Sequence, residues 1–458
     1  MSCKITKTNE MCTFAARKKH GNMALTLTIC IVTCLAMILG VLFFPKIRLG
    51  HLCVGSYWVI ALSGALLLLI TKQVPLATVG GALVSNDAIN PLKILVLFIS
   101  MTILSIYLDE LGFFRYLANK TLKRAGHNQL KLFIYLYLIV SVLTVFTSND
   151  VIILSFTPFI CYFANNAKIN AIPYLATEFV AANTWSMAFI IGNPTNIYLG
   201  TSHGIGFMEY LDVMWLPTIG AGLTAFLMLY LTSRRHLKEP LRGEAEEVVI
   251  KDRLSLWVGI VHLAFCTVML AVSSYLGIEM WLVSALAVLS LMLWCLVIDL
   301  SRRHVPDELL ACIKRAPWQL IPFVLSMFVM TIVLSEKGVT SAIGNFLGSQ
   351  YTSFKYGISS FLAANIVNNI PMSVLFCSVM QSCDPSVLSE AVYATVIGSN
   401  IGAFLTPIGA LAGIMWSSIL NEHGLRFGYL KFLKIGVTVA VPTLLVSLLL
   451  LSVFLVAP

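Results

Sequence analysis

Charge is what this sequence has least of. Of 458 residues, 11% are charged and 58% are hydrophobic, and the mean hydropathy is +0.89. A soluble domain carries about 25% charged residues, so a water-facing domain of useful size is excluded. The longest polar stretch, residues 233–253, is a connector. No Gly-rich loop ending in Lys-Ser/Thr is present, so the chain has no ATP site of that kind. No His/Cys spacing suits a metal centre. The eleven cysteines are scattered, many of them inside apolar runs (Cys30, Cys34, Cys266, Cys295), and read as incidental thiols. A nucleophile–base pair for hydrolysis is also missing: His262 stands alone in an apolar run, where packing explains it. The net charge of +9 does not indicate nucleic acid. Basic residues gather in loops between apolar runs, as the positive-inside rule describes.

What is present is one apolar run after another. Residues 24–44, 52–71, 94–108, 171–191, 211–232, 254–276, 280–298, 318–335, 391–419 and 435–456 read as about ten transmembrane helices. The sequence predicts an all-α polytopic membrane protein of the cell membrane. A polar, basic tail (1–23) precedes a first repeat (24–232). The connector 233–253 leads to a second repeat (254–458). Residues 72–91 read as a loop, 115–131 as a basic interfacial helix and 301–316 as a basic loop. The basic loops 233–253 and 301–316 and the short basic turn around Arg426 and Lys431 read as cytoplasmic, and counting back through the first half places 115–131 inside as well. Counting crossings back puts the N-terminus outside, whereas its five basic residues favour the inside; an extra crossing near 73–90 is one way out.

Two stretches break this pattern. Phe146-Thr147-Ser148-Asn149-Asp150-Val151 is a polar tip between apolar arms, and Asn368-Asn369-Ile370-Pro371-Met372-Ser373 is another. Most of these arms are too short to cross, since a crossing helix needs roughly 20 residues. Residues 132–163 and 356–380 therefore read as re-entrant hairpins. Such backbone survives at membrane depth only against protein or a water-filled cavity. Two hairpins in corresponding places suggest inverted-topology repeats with a site at the midplane. Two spans are also interrupted, one at Gly192-Asn193-Pro194-Thr195-Asn196 and one at Thr406-Pro407-Ile408-Gly409. A break exposes carbonyl oxygens on one half-helix, which suit a cation, and N–H groups on the other, which suit an anion. The candidate site is thus Ser148, Asn149, Asp150, Asn183, Asn193, Thr195 and Asn196 from one half. Asn368, Asn369, Ser373, Asn400 and Thr406 come from the other, with Thr184 and Ser399 beside them. Asp150 and Glu178 are intramembrane acids, which usually do work, and are the candidate coupling residues. Asp109 and Glu110 stand at a span end and read as a solvated interface.

On these motifs the chain resembles the ion transporter superfamily, in its arsenite-permease and citrate-transporter-like branch. The resemblance rests on Leu108-Asp109-Glu110-Leu111-Gly112-Phe113-Phe114, on the Asn149-Asp150 tip, and on Gly398-Ser399-Asn400-Ile401-Gly402 with Thr406-Pro407-Ile408-Gly409. It covers nearly all of the chain after the tail. Sodium–proton antiporters of the superfamily have an Asp-Asn-Ile-Pro tip, where this chain has Asn368-Asn369-Ile370-Pro371, so the acid is missing. Sodium–dicarboxylate symporters carry Ser-Asn-Thr at both tips, and this chain departs from that as well. The resemblance implies a proton- or sodium-coupled secondary transporter of a small anion or oxyacid, with arsenite-type efflux leading. It implies alternating access, with hairpins and broken helices forming one moving unit. It implies no cofactor beyond the coupling ion. The expected partners are the lipid bilayer and a small anionic or oxyacid solute, with no nucleic acid. A homodimer, and for an ATP-driven arsenite pump a separate ATPase subunit, stay open.

Overall fold

The computed structural model describes residues 23–41, 43–44, 46–49, 52–84, 90–238, 250, 252–302, 306–425 and 427–456. Residues 1–22 of the basic tail and most of the 233–253 connector lie outside the described residues. The described chain is helical apart from one short antiparallel β-hairpin, β1 (Lys46–Leu49) and β2 (Leu52–Gly55), with Lys46 opposite Gly55.

In the first half, α1 (Met23–Val41) is followed by α2 (Ser56–Ile70), α3 (Leu76–Val84), α4 (Pro91–Glu110) and α5 (Phe113–Ala125). Then come α6 (Gln129–Phe146), α7 (Asn149–Asn166), α8 (Ile172–Trp185), α9 (Pro194–Thr201) and α10 (Phe207–Ser233). The second half opens with α11 (Arg253–Ser273), α12 (Met280–Ser301), α13 (Asp307–Arg315), α14 (Leu320–Glu336) and α15 (Val339–Leu347). It closes with α16 (Thr352–Val367), α17 (Asn369–Met380), α18 (Leu388–Gly402), α19 (Leu411–Glu422) and α20 (Tyr429–Val456). Eight helices among the described residues are long and apolar enough to cross a membrane.

Local chemistry sets the repeated plan. α4 begins where the Asn90 side chain accepts from the Leu92 and Lys93 N–H groups with Pro91 at the first helical position, a strong start signal. α4 and α14 both end before a glycine in the left-handed region, Gly112 at φ +77° and Gly338 at φ +76°. Glycine adopts that conformation without penalty, and the turn launches the short helices α5 and α15. Each of these stops at another positive-φ glycine, Gly126 or Gly348. A helical hairpin, a broken helix and a long last helix follow in both halves. The two last helices also tie the halves together: the Ser447 hydroxyl in α20 donates to the Pro217 carbonyl in α10, 3.1 Å away.

Several boundaries differ from the sequence reading. The 72–91 loop contains α3, whose nine residues reach only about 14 Å, too short to cross alone. The 301–316 loop contains α13, amphipathic with Leu309 and Cys312 buried. The first hairpin's arms begin and end beyond 132–163. Asn128 caps α6 by accepting from the Lys131 N–H, so helix starts before the apolar run does. Both arms have 18 residues, about 27 Å each, and α6 qualifies by length and composition as a span. The expectation of short arms holds only for the second hairpin, where α17 has 12 residues.

Candidate functional site

The two hairpin tips are built alike. Each second arm starts on an asparagine, Asn149 in α7 and Asn369 in α17, and both are buried. The Asn149 Nδ2 donates to Asn183 Oδ1 on α8 at 3.1 Å. The second tip is held by main chain. Asn369 N–H donates to the Gly409 carbonyl at 3.0 Å, and Asn368 Nδ2 donates to the Ile408 carbonyl at 2.9 Å. Asn368 sits at φ +76°, which asparagine tolerates better than most residues. Gly409 must lie this close: a Cβ there would stand 2.5 Å from the Gly402 carbonyl oxygen.

The breaks are joined across the halves by Asn400. Its Oδ1 accepts from the Ser186 hydroxyl and from Asn193 Nδ2, both at 2.9 Å. Its Nδ2 donates to Asn196 Oδ1 at 2.6 Å and to the Val396 carbonyl at 2.8 Å. Asn196 in turn donates to the Ser186 carbonyl at 2.8 Å. Asn193 caps α9, accepting from the Thr195 N–H and hydroxyl, each at 3.1 Å. On the other side Thr406 donates to Asn365 Oδ1 at 2.6 Å, and Asn365 Nδ2 bonds the Phe361 and Gly402 carbonyls.

These bonds divide the sequence-derived set into two groups. Asn193, Asn196, Asn368, Asn400, Thr195 and Thr406 spend their polar atoms holding the breaks open. Ser373 donates back to the Ile370 carbonyl at 2.7 Å within its own helix and does not reach a tip oxygen. Unused buried oxygens remain elsewhere: Ser148 Oγ, Asn149 Oδ1 and Thr184 Oγ1 in the first half, Asn369 Oδ1 and Ser399 Oγ in the second. Buried polar atoms are normally hydrogen-bonded, so these five oxygens, three in the first half and two in the second, keep hydrogen-bonding capacity to spare. The sequence reading missed Ser186 and Asn365, whose partners lie 214 and 41 residues away.

The two acids part company. Among the described residues the Asp150 side chain has no hydrogen bond or ion pair, and its charge bears on the Tyr57 phenol. Tyr57 lines a small cavity with Asn368, Ile408 and Phe323, so the first tip's acid and the second tip share a neighbour. Glu178 is fully buried away from the asparagine network. It accepts from the Thr157 hydroxyl at 3.1 and 3.2 Å, and the Trp416 indole lies beside it. Trp416 packs against Phe179, Phe427 and Phe432 with ring centroids 5.1 to 5.6 Å away. Asp109 and Glu110, partly exposed at the end of α4, both pair with Arg315, itself 38% exposed.

No Lys, Arg or His occurs from residue 132 to 167, from 169 to 202, or from 356 to 422. The N-termini of α7, α9, α17 and α19 contribute positive character at the tips and breaks, each equivalent to about half a charge. The C-terminal ends of α6, α8, α16 and α18 border the same turns and supply carbonyl oxygens.

A family model described as citrate transporter, CitMHS, matches residues 52–395, a range that includes both hairpins. The chain belongs to this family. As a CitMHS-family protein it is a multi-pass membrane transporter of the cell membrane, all-α, from the branch of arsenite permeases and citrate transporters. It is 28% identical over 367 residues to the arsenical pump membrane protein of Escherichia coli K12, covering 77% of this chain and 84% of that one. Among solved structures it resembles the YdaH transporter of Alcanivorax borkumensis, with TM-score 0.54 and 13% identity, covering 95% of this chain and 98% of that one. It also resembles MtrF of Neisseria gonorrhoeae, with TM-score 0.50 and 12% identity over 94% of each chain. These two likenesses concern the fold.

Proposed function

We propose that this membrane anion transporter is a secondary active carrier of a small oxyacid, with arsenite or antimonite efflux as the leading reading. The observation that carries it is the set of five unused oxygens at the two tips and two breaks, in segments that hold no basic residue. Amide oxygens accept hydrogen bonds, and hydroxyls accept and donate. Such a lining suits a solute that itself carries O–H groups and little charge. A trihydroxy oxyacid of trivalent arsenic or antimony, neutral near pH 7, has that form. A tricarboxylate would call for guanidinium or ammonium partners, or for cations travelling with it. The relative named an arsenical pump membrane protein supports the same reading.

Asp150 is the proposed coupling acid, a carboxylate with no cationic partner among the described residues, at a tip that both halves approach. A proton or a sodium ion would neutralise it. Glu178 is a second coupling candidate, although its Thr157 and Trp416 neighbours place it behind the polar network. The repeated order of elements supports two inverted-topology repeats, with hairpins and broken helices moving as a unit. The family's own name favours a second reading, a citrate or dicarboxylate symporter in which sodium ions bound to the C-terminal half-helix ends supply the missing positive charge. Vesicles under imposed proton and sodium gradients, offered arsenite, phosphate, sulfate, citrate and succinate, separate the two. The oxyacid reading expects saturable arsenite movement that a gradient drives and no citrate movement. Sodium-driven citrate uptake with no arsenite movement would replace it by the second.

A further inference from the structure

We infer that the crevice between α5 and α6 is a binding site for one anionic phospholipid, with the phosphate on Arg124 and an acyl chain along α6. Charge is one-sided in this part of the chain. Arg115, Lys120, Lys123, Arg124 and Lys131 follow one another, and no Asp or Glu occurs from residue 111 to 149. Among the described residues none of the five has an ion-pair partner. Lys120 rests over the Tyr116 ring, its ammonium 5.7 Å from the centroid. α5 is not one of the helices long and apolar enough to cross. It buries Phe114, Ala118, Leu122 and Ala125 and exposes Arg115, Lys120, Lys123 and Arg124, the arrangement of a helix lying at a membrane surface.

The turn at Gly126, φ +59°, folds the chain back and leaves a groove of about 460 Å³ between the two helices. Thr121 and Arg124 line it from α5, and Tyr135, Leu138, Ile139 and Val142 line it from α6, at the spacing of one helical face. The groove is cationic where α5 borders it and apolar farther along α6. Tyr135 to Val142 covers about 10.5 Å, within the roughly 15 Å of hydrocarbon in one leaflet. Leu138 and Val142 are 54% and 55% exposed, on a helix that qualifies as a span, so this part of the groove faces lipid. A soluble anion would meet Arg124 and leave the apolar part empty. A polypeptide would carry unpaired backbone into hydrocarbon, which is costly. A phospholipid fits both parts: a guanidinium grips two phosphate oxygens, and the acyl chain covers Leu138 and Val142. A choline headgroup would set its own cation against Lys120 and Lys123, so a headgroup of net negative charge is preferred. α5 packs against both arms of the first hairpin, and the lipid fills the angle it makes with the first arm.

The test uses the full chain purified in a neutral detergent and titrated with phosphatidylglycerol or phosphatidylcholine, with bound lipid counted by native mass spectrometry. One phosphatidylglycerol should bind about tenfold more tightly than phosphatidylcholine, as one charge-assisted contact allows. Arg124→Gln should remove that tenfold and leave phosphatidylcholine binding as it was. Lys123→Gln removes the same charge next door, at a position that does not line the groove, and should cost roughly two- to threefold. Val142→Trp fills the groove and should weaken phosphatidylglycerol binding with every charge in place. Equal binding of the two lipids would overturn the site. So would equal losses in Arg124→Gln and Lys123→Gln, which would mean a diffuse basic surface, and so would unchanged binding in Val142→Trp. If Arg124→Gln does not fold, Val142→Trp decides: weaker phosphatidylglycerol binding supports the groove and unchanged binding overturns it. Lipid is counted without any solute present, so the result is independent of what the carrier moves.

Discussion

The first hairpin tip is held by side chains and the second by main chain. Asn149 reaches Asn183 through one amide–amide bond, whereas Asn368 and Asn369 are clasped to the carbonyls of Ile408 and Gly409. The first arms are 18 residues each and carry an acid at the tip; the second hairpin has Pro371 in the first turn of its second arm, and no acid. Side-chain contacts can be exchanged one at a time, but a main-chain clasp moves with the helix it joins. The second tip is thus fixed to the neighbouring break by main chain, whereas the first is set by side chains around an acid.

That contrast can be broken, beginning with the acid. Asp150→Asn keeps the shape of the first tip and removes its charge. Gradient-driven transport should fall to the level of empty vesicles while the protein still reaches the membrane; wild-type rates would detach coupling from this tip. Next comes the joint between halves. Asn400→Ala leaves Ser186, Asn193 and Asn196 buried without their partner and should cost roughly 2–4 kcal/mol of stability, read as a lower denaturation midpoint in detergent. Gly409→Ala strikes only the second tip. Its Cβ would crowd the Gly402 carbonyl, at a cost of roughly 1–3 kcal/mol. The comparison expects this loss to appear as instability, with coupling stoichiometry unchanged in the protein that survives.

How much of this was legible in the residues depends on the distance between partners. Both tips and both breaks announce themselves locally, as Asn-Asp, Asn-Asn-Ile-Pro, Gly-Asn-Pro and Thr-Pro-Ile-Gly inside apolar runs. Their internal economy does not. That Asn400 joins the halves and Asn369 keeps an unused oxygen depends on bonds that no local pattern encodes. That Asp109 and Glu110 pair with Arg315 is not legible either, because the arginine lies 206 and 205 residues away. α13 did have a signal, with Leu309, Cys312 and Ala316 on one side, but its charges made it read as loop.

The smallest expected effect lies outside the spans, where the comparison between the tips predicts nothing. Burial alone would raise the Asp252 carboxyl. Its bonds from the Ser255 hydroxyl and the Arg302 guanidinium outweigh that and hold it at about 2. A depressed carboxyl adds stability above its usual range near 3.9, and that stability is lost as pH falls toward 2. Asp252→Asn should therefore lower the denaturation midpoint slightly at pH 7 and make no difference near pH 2. The exposed setting keeps the change small, and transport should be untouched.

The central claim is one pocket shared by both halves, and substrate protection tests it directly. Asn149→Cys and Asn369→Cys are labelled separately with a small maleimide while arsenite is titrated. The account predicts that arsenite slows labelling at both positions with the same half-saturating concentration. Protection of one cysteine without the other, or two widely different concentrations, would contradict it.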